Sequence, residues 1–219
     1  MLLGHFGIAL AAKKAAPHVS LGTLFLAAQL VDFAWPVYLL AGWEEVRVAP
    51  GITRVAPLEF VSYPYTHSLL AVALWGAKLG AAYWLIRRRA PRAALTACFL
   101  AALVVSHWIL DWFVHIPDLL LTPWGSAKYG LGLWNSVPLT ALLEFGVLAA
   151  GLALYLSVTR AKDSRGRYAL WALVGLLVVA WVSQFGPPPP GERAVAFGAL
   201  LMWLTVPWGV WADRHRSSR

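Results

Sequence analysis

Charge is what this sequence has least of. Only ten Asp and Glu and eighteen Lys and Arg occur in 219 residues, a 13% share against roughly 25% in a soluble domain. A chain so poor in charge cannot clothe a water-facing surface on all sides. It has one cysteine, Cys98, so no intramolecular disulfide is available and cysteine usage is silent about redox compartment; inside an apolar run, Cys98 reads as helix packing. No internal repeat is visible, and no linker is long enough to separate domains.

What is abundant is apolar sequence, 60% of the chain, against roughly 45–50% in soluble domains. The apolar residues gather in runs over residues 21–42, 66–86, 93–116, 138–158, 168–186 and 194–213, with a shorter segment from Met1 to Ala12. A helix rises about 1.5 Å per residue and the hydrocarbon core is about 30 Å thick, so each long run can cross a membrane. The expected architecture is an all-α polytopic transmembrane helix bundle of six to seven membrane helices in one integral membrane domain, residues 1–219. The first segment is counted as the seventh helix, with Lys13 and Lys14 snorkelling toward headgroups. It does not read as a cleaved signal peptide, because no basic residue precedes its apolar stretch and the two lysines occupy the place of a cleavage site.

The formal charge of +8 and pI near 10 raise the question of nucleic acid, and placement answers it. Lys13 and Lys14, Arg87 to Arg89 with Arg92, Arg160 to Arg167, and Arg214 to Arg219 all flank alternate membrane ends. With those ends cytoplasmic, the positive-inside rule fixes a multi-pass plasma (inner) membrane topology with a cytoplasmic C-terminus and outward loops over 43–65, 117–137 and 187–193. The partners implied are membrane lipids, with no nucleic acid. Pro187 to Pro190 reads as a stiff connector. Many of the thirteen Trp, among them Trp43, Trp124, Trp134 and Trp208, fall near run ends as an interfacial belt does.

Polar residues inside a span cost about 2.5–3.5 kcal/mol for Asp on insertion scales. They are few: His5, Asp32, Lys78, His107, Asp111 and Glu144, with His67 and His115 at span ends. In the expected topology all but Lys78 lie toward the outward face, and Asp111 sits only about 8 Å below the end of its helix. His107 and Asp111 are an i, i+4 pair on one helix face, and His115 continues the series. Such a pair alone can be a buried hydrogen bond, and His115 can be solvated at a helix end. A lone buried Asp32, however, would have to stay protonated. Four histidines with three carboxylates at one face point to a divalent metal, with His5, Asp32, His67, His107, Asp111 and His115 as candidate ligands; zinc is the expected ion, although imidazole and carboxylate also suit manganese, iron or nickel and ligand type alone does not choose among them. Lys78 reads as snorkelling inward, and His18 and His215 carry no assigned role.

Gly4-His5, Leu30-Val31-Asp32-Phe33-Ala34-Trp35-Pro36, Thr66-His67-Ser68-Leu69-Leu70 and Ser106-His107-x-x-x-Asp111 resemble, in order, the motifs of the YdjM-like, LexA-binding inner-membrane metal-dependent hydrolases. The resemblance covers residues 4–111. It departs from the family pattern at Ala34 and Trp35, where a second Asp and a His are usual, and at Ser62-Tyr63-Pro64, where His-Arg-Gly is usual; His115, Asp118 and Glu144 are available to replace the missing groups. The family is itself similar in motif logic to zinc-dependent phospholipase C and related nucleases, which is analogy only. The resemblance implies a membrane-embedded hydrolase acting on a lipid or other phosphoester at the outer face, in which the ion polarises the scissile group and acidifies water. Asp111, Glu144 and Asp118 are the candidate catalytic carboxylates. The rival is a non-enzymatic protein, either an ion- or proton-linked transporter or a metal-stapled scaffold.

Overall fold

The computed structural model describes residues 1–218. Its helices are α1 (Leu3–Ala15), α2 (Leu21–Ala28), α3 (Leu30–Leu40), α4 (Pro64–His67), α5 (Leu69–Arg87), α6 (Ala93–Val114), α7 (Val137–Val158), α8 (Ser164–Val182), α9 (Glu192–Leu201) and α10 (Thr205–Arg214). Three small antiparallel pairs join loop segments: β1 (Glu45–Val48) with β2 (Leu58–Ser62), β3 (Leu119–Leu120) with β4 (Lys128–Tyr129), and β5 (Thr159–Ala161) with β6 (Arg216–Ser218). The helical bundle expected from the runs is present, and the loops add short strands that carry no periodic signal of their own.

Among the described residues, five helices are long and apolar enough to cross a membrane: Leu69–Arg87, Ala93–Val114, Val137–Val158, Ser164–Phe185 and Glu192–Arg214. The sixth candidate is a bent pair, because the run over 21–42 breaks at Gln29 and α2 meets α3 at 56°. The N-terminal segment expected as a seventh span is not among these candidates. At 13 residues, α1 is about 20 Å long, short of the hydrocarbon thickness, and it is buried along nearly its whole length. It forms the axis of the bundle, with Leu3, Phe6 and Leu10 packed among Leu24, Phe25, Leu100, Leu148 and Tyr155.

Small residues set the helix separations, as in other membrane bundles where close backbone approach replaces the hydrophobic drive. A Cβ added to Gly151 on α7 would lie 1.9 Å from the carbonyl oxygen of Gly7 on α1, and one added to Gly76 on α5 would lie 2.7 Å from the carbonyl oxygen of Ala101 on α6. Lys13 does not snorkel: its buried ammonium meets Asp213 at 2.6 Å and the Val19 carbonyl at 2.8 Å, tying α1 to α10. Lys78 lies with its ammonium 4.6 Å over the Trp75 ring. Cys98 is exposed on α6 rather than packed between helices. Trp43 and Trp124 are exposed as a belt requires, but Trp134 is buried, its ring 4.1 Å from that of His115, because the loop carrying it folds back over the end of α6.

Candidate metal centre

Six elements deliver polar side chains to one buried layer. His5 stands in the first turn of α1, Asp32 in the first turn of α3, and His67 closes the four-residue α4. His107 and Asp111 occupy one face of α6, and His115 caps its C-terminus. Glu144 lies on α7, and Asp118 follows α6 in the loop. All are buried apart from Asp32, whose side chain is 37% exposed.

Among the described residues, two overlapping groups have ligand atoms within 4.8 Å of one another: Asp32 with His67 and His107, and His5 with His107 and Asp111. Asp32 Oδ1 is 3.2 Å from His67 Nε2 and 3.5 Å from His107 Nε2. Asp111 Oδ2 is 3.1 Å from His107 Nε2, while its Oδ1 is 3.0 Å from His5 Nε2. Two ligands bound tetrahedrally at 2.0–2.2 Å lie about 3.4 Å apart, which these separations match. His115 Nε2 stands farther out, 3.9 Å from Asp111 Oδ2. The rings of His5 and His107 are stacked, 3.6 Å between centroids.

The tautomers give these distances their meaning. His107 Nδ1 is 2.8 Å from the Ala28 carbonyl oxygen, a group at the α2–α3 break, and only an Nδ1–H can bond there. His67 Nδ1 is 2.7 Å from Thr66 Oγ1. That hydroxyl also lies 2.7 Å from Glu44 Oε2; its single hydrogen goes to the carboxylate, so it accepts from His67 Nδ1–H. His115 Nδ1 is 3.0 Å from Asp118 Oδ1, which also accepts from the Tyr63 hydroxyl at 2.6 Å. Three histidines therefore spend Nδ1–H on protein acceptors and turn Nε2 inward. An uncharged imidazole so held offers a lone pair to carboxylate oxygens, which are also acceptors. A cation between them resolves that conflict, and it is the arrangement by which outer partners orient metal-bound histidine. His107 Nε2 is buried and without a hydrogen-bond partner, as a free ligand atom would be.

Glu44, in the loop after α3, is not anticipated by the sequence pattern. Its Oε1 accepts from the backbone N–H groups of Tyr65 and Thr66, both at 2.8 Å. Burial pushes its carboxyl above the ordinary range, against the opposing influence of His67 and the Thr66 bonds. Tyr63 is equally unanticipated; burial, with Asp118 beside it, holds its hydroxyl well above the usual range and so protonated. Both lie in polar loop sequence with nothing in their spacing to set them apart. Glu144 is placed near this layer but outside both groups, its carboxylate accepting from the Leu3 backbone N–H, where an anion complements the N-terminal end of α1. The His18 ring is 2.9 Å from Thr96 Oγ1 and that of His215 2.7 Å from Asp163, both away from this centre.

The fold and the centre define a class: a multi-pass membrane protein with a buried His/Asp cluster able to hold a metal ion. The family model described as YdjM inner membrane protein matches residues 1–187, and the chain belongs to that family. The match extends well past Asp111, through α7 and α8. No curated protein and no solved structure matches the chain.

Proposed function

We propose that this inner-membrane protein is a metal-dependent hydrolase of ester or phosphoester bonds, with a lipid phosphoester as its substrate class. The observation that carries the reading is the half-exposed Asp32. It belongs to a ligand group yet also lines a cavity of about 310 Å³, so the centre is accessible, whereas a structural site is closed by four protein ligands.

Asp32, His67 and His107 are the proposed ligands of a divalent ion, three protein donors that leave a fourth position open, zinc being the first choice for this donor set. His5 and His115 complete the surrounding layer. Such an ion supplies Lewis-acid polarisation of the scissile group and a lowered water pKa. The chain's own residues do the rest. Thr66, the Ala28 carbonyl and Asp118 hold three imidazoles by Nδ1 so that Nε2 points inward. Asp111 Oδ1 is held by the Met1 ammonium and His5 Nε2 while Oδ2 faces His107 Nε2, which leaves Oδ2 as the atom placed to accept a proton from water. Asp118 acts through His115, and Glu144 steadies α1 and with it His5, rather than either serving as the base itself. The apolar helices around the centre exclude bulk water and sharpen each electrostatic contact.

The alternation of basic loops supports an orientation with the centre outward and the C-terminus cytoplasmic. The test is elemental analysis of purified protein, then turnover of phospholipids and simple phosphoesters. His107→Ala should lose the stoichiometric metal, and Asp111→Asn should lose turnover. A metal-replete wild type without turnover dependent on these two residues would replace the hydrolase with the metal-stapled scaffold.

A further inference from the structure

The cavity at Asp32 has a lining of two chemical kinds. Gln29, Asp32, Trp35 and Gln184 are polar, whereas Phe33, Ala199 and Met202 are apolar. Gln29 and Trp35 are 2% and 7% exposed, and each carries a buried polar atom with no hydrogen-bond partner, Gln29 Oε1 and Trp35 Nε1. Leaving such groups unpaired costs about 1–3 kcal/mol apiece, so two of them around one cavity beside a carboxylate indicate a missing polar partner. Gln184 already donates to the Trp181 carbonyl, and the Phe33, Ala199 and Met202 part of the lining offers no hydrogen-bonding group and fits a hydrocarbon. At about 310 Å³ the space lies at the lower limit of the roughly 300–1,000 Å³ of small-molecule sites, which suits one chain and not two.

We infer that this cavity is the binding site for a phosphoester lipid, taking one apolar chain between α3 and α9 and setting the head toward Asp32, with Gln29 and Trp35 as specificity residues. The indole N–H donates to a phosphoryl or ester oxygen, and the Gln29 amide oxygen accepts from a hydroxyl of the head. The geometry rests on the hydrolytic reading only for what happens at the head; the chain site stands without it.

The test uses full-length protein in phosphatidylcholine nanodiscs and a lysophosphatidic acid with a diazirine at the end of its chain, with a diazirine alkane of equal chain length as control. Metal-stripped and zinc-loaded protein are both labelled, and adducts are mapped by peptide. Labelling of the zinc-loaded protein should concentrate in residues 29–36 and 195–202. A Cβ at Gly198 meets nothing within 4 Å, and Gly198 lines the cavity, so Gly198→Leu should fill the space without a clash. It should cut that labelling by about tenfold while leaving zinc content unchanged. Trp35→Phe and Gln29→Leu should each weaken the phosphate-bearing probe by about fivefold and leave the alkane, which has no polar head, unaffected. Adducts spread over the lipid-facing sides of α5 and α6 and indifferent to Gly198→Leu would overturn the site. Equal effects of Trp35→Phe and Gln29→Leu on both probes would overturn the specificity roles. Focused labelling without turnover in the wild type keeps the lipid site and removes the hydrolase; turnover insensitive to Gly198→Leu does the reverse.

Discussion

Thr66 touches no proposed ion, yet one hydroxyl of it should control the affinity of the centre. Its Oγ1 is 2.7 Å from both His67 Nδ1 and Glu44 Oε2, so it accepts from the ring while donating to the carboxylate. Thr66→Val keeps the side-chain shape and removes both bonds. His67 then loses the partner that fixes its tautomer, and either nitrogen can carry the hydrogen. Glu44 keeps its two backbone donors at 2.8 Å, so the loop stays anchored and the damage is confined to the ring. Loss of such an outer partner typically lowers metal affinity 10–100-fold; the lower end, about tenfold, applies here because Asp32 Oδ1 at 3.2 Å still restrains the ring from its other side. A competition titration of zinc against a chromophoric chelator, on purified protein in detergent, measures the change. Thr66→Ser restores the hydroxyl and should restore the affinity. An affinity for Thr66→Val within about twofold of wild type, or a Ser variant as weak as the Val, would refute the tautomer argument.

Other perturbations probe the frame around the centre. Gly151→Ala places a methyl on the Gly7 carbonyl and should destabilise the α1–α7 contact by about 1–3 kcal/mol, read as a lower thermal midpoint in detergent. Asp213→Asn strips the buried Lys13 of its partner at 2.6 Å; a loss of about 3–5 kcal/mol is expected, and an unchanged midpoint would mean that the ammonium reaches water. In a Cys98→Ser background, a thiol at Gly51 should react with an impermeant maleimide in intact cells and one at Ser218 should not; the opposite pattern would reverse the orientation.

The features of the centre legible in the sequence are those governed by local geometry. His107 and Asp111 share a face of α6 because four residues make one helical turn, and the cost of burying Asp32 marks it wherever its helix leads. The break at Gln29 is not legible, since the run over 21–42 is apolar throughout and Pro36 stands a full two turns beyond Gln29. Nor can spacing reveal Lys13 with Asp213, 200 positions apart, or Glu44 with Thr66. Each of those pairings is a product of packing, in which a polar group finds its partner because the bundle has closed around both.

The unread break matters most for function. A straight span over 21–42 would engage the Ala28 carbonyl within its own helix and carry Asp32 past the layer of His67 and His107. Bending by 56° at Gln29 instead turns that carbonyl to His107 Nδ1 at 2.8 Å and leaves Asp32 at the entrance, with one edge on the imidazoles and the other on the cavity. Discontinuous helices are tolerated at membrane depth where they line a cavity or are buried in protein, and this one does both. Gln29, at the bend, has its Oε1 buried without a partner. One departure from regular helix thus orients a ligand, opens the centre to the cavity beside it and supplies a polar contact for what enters. A substitution that straightened α2 into α3 would close all three together, and it would do so without altering any proposed ligand.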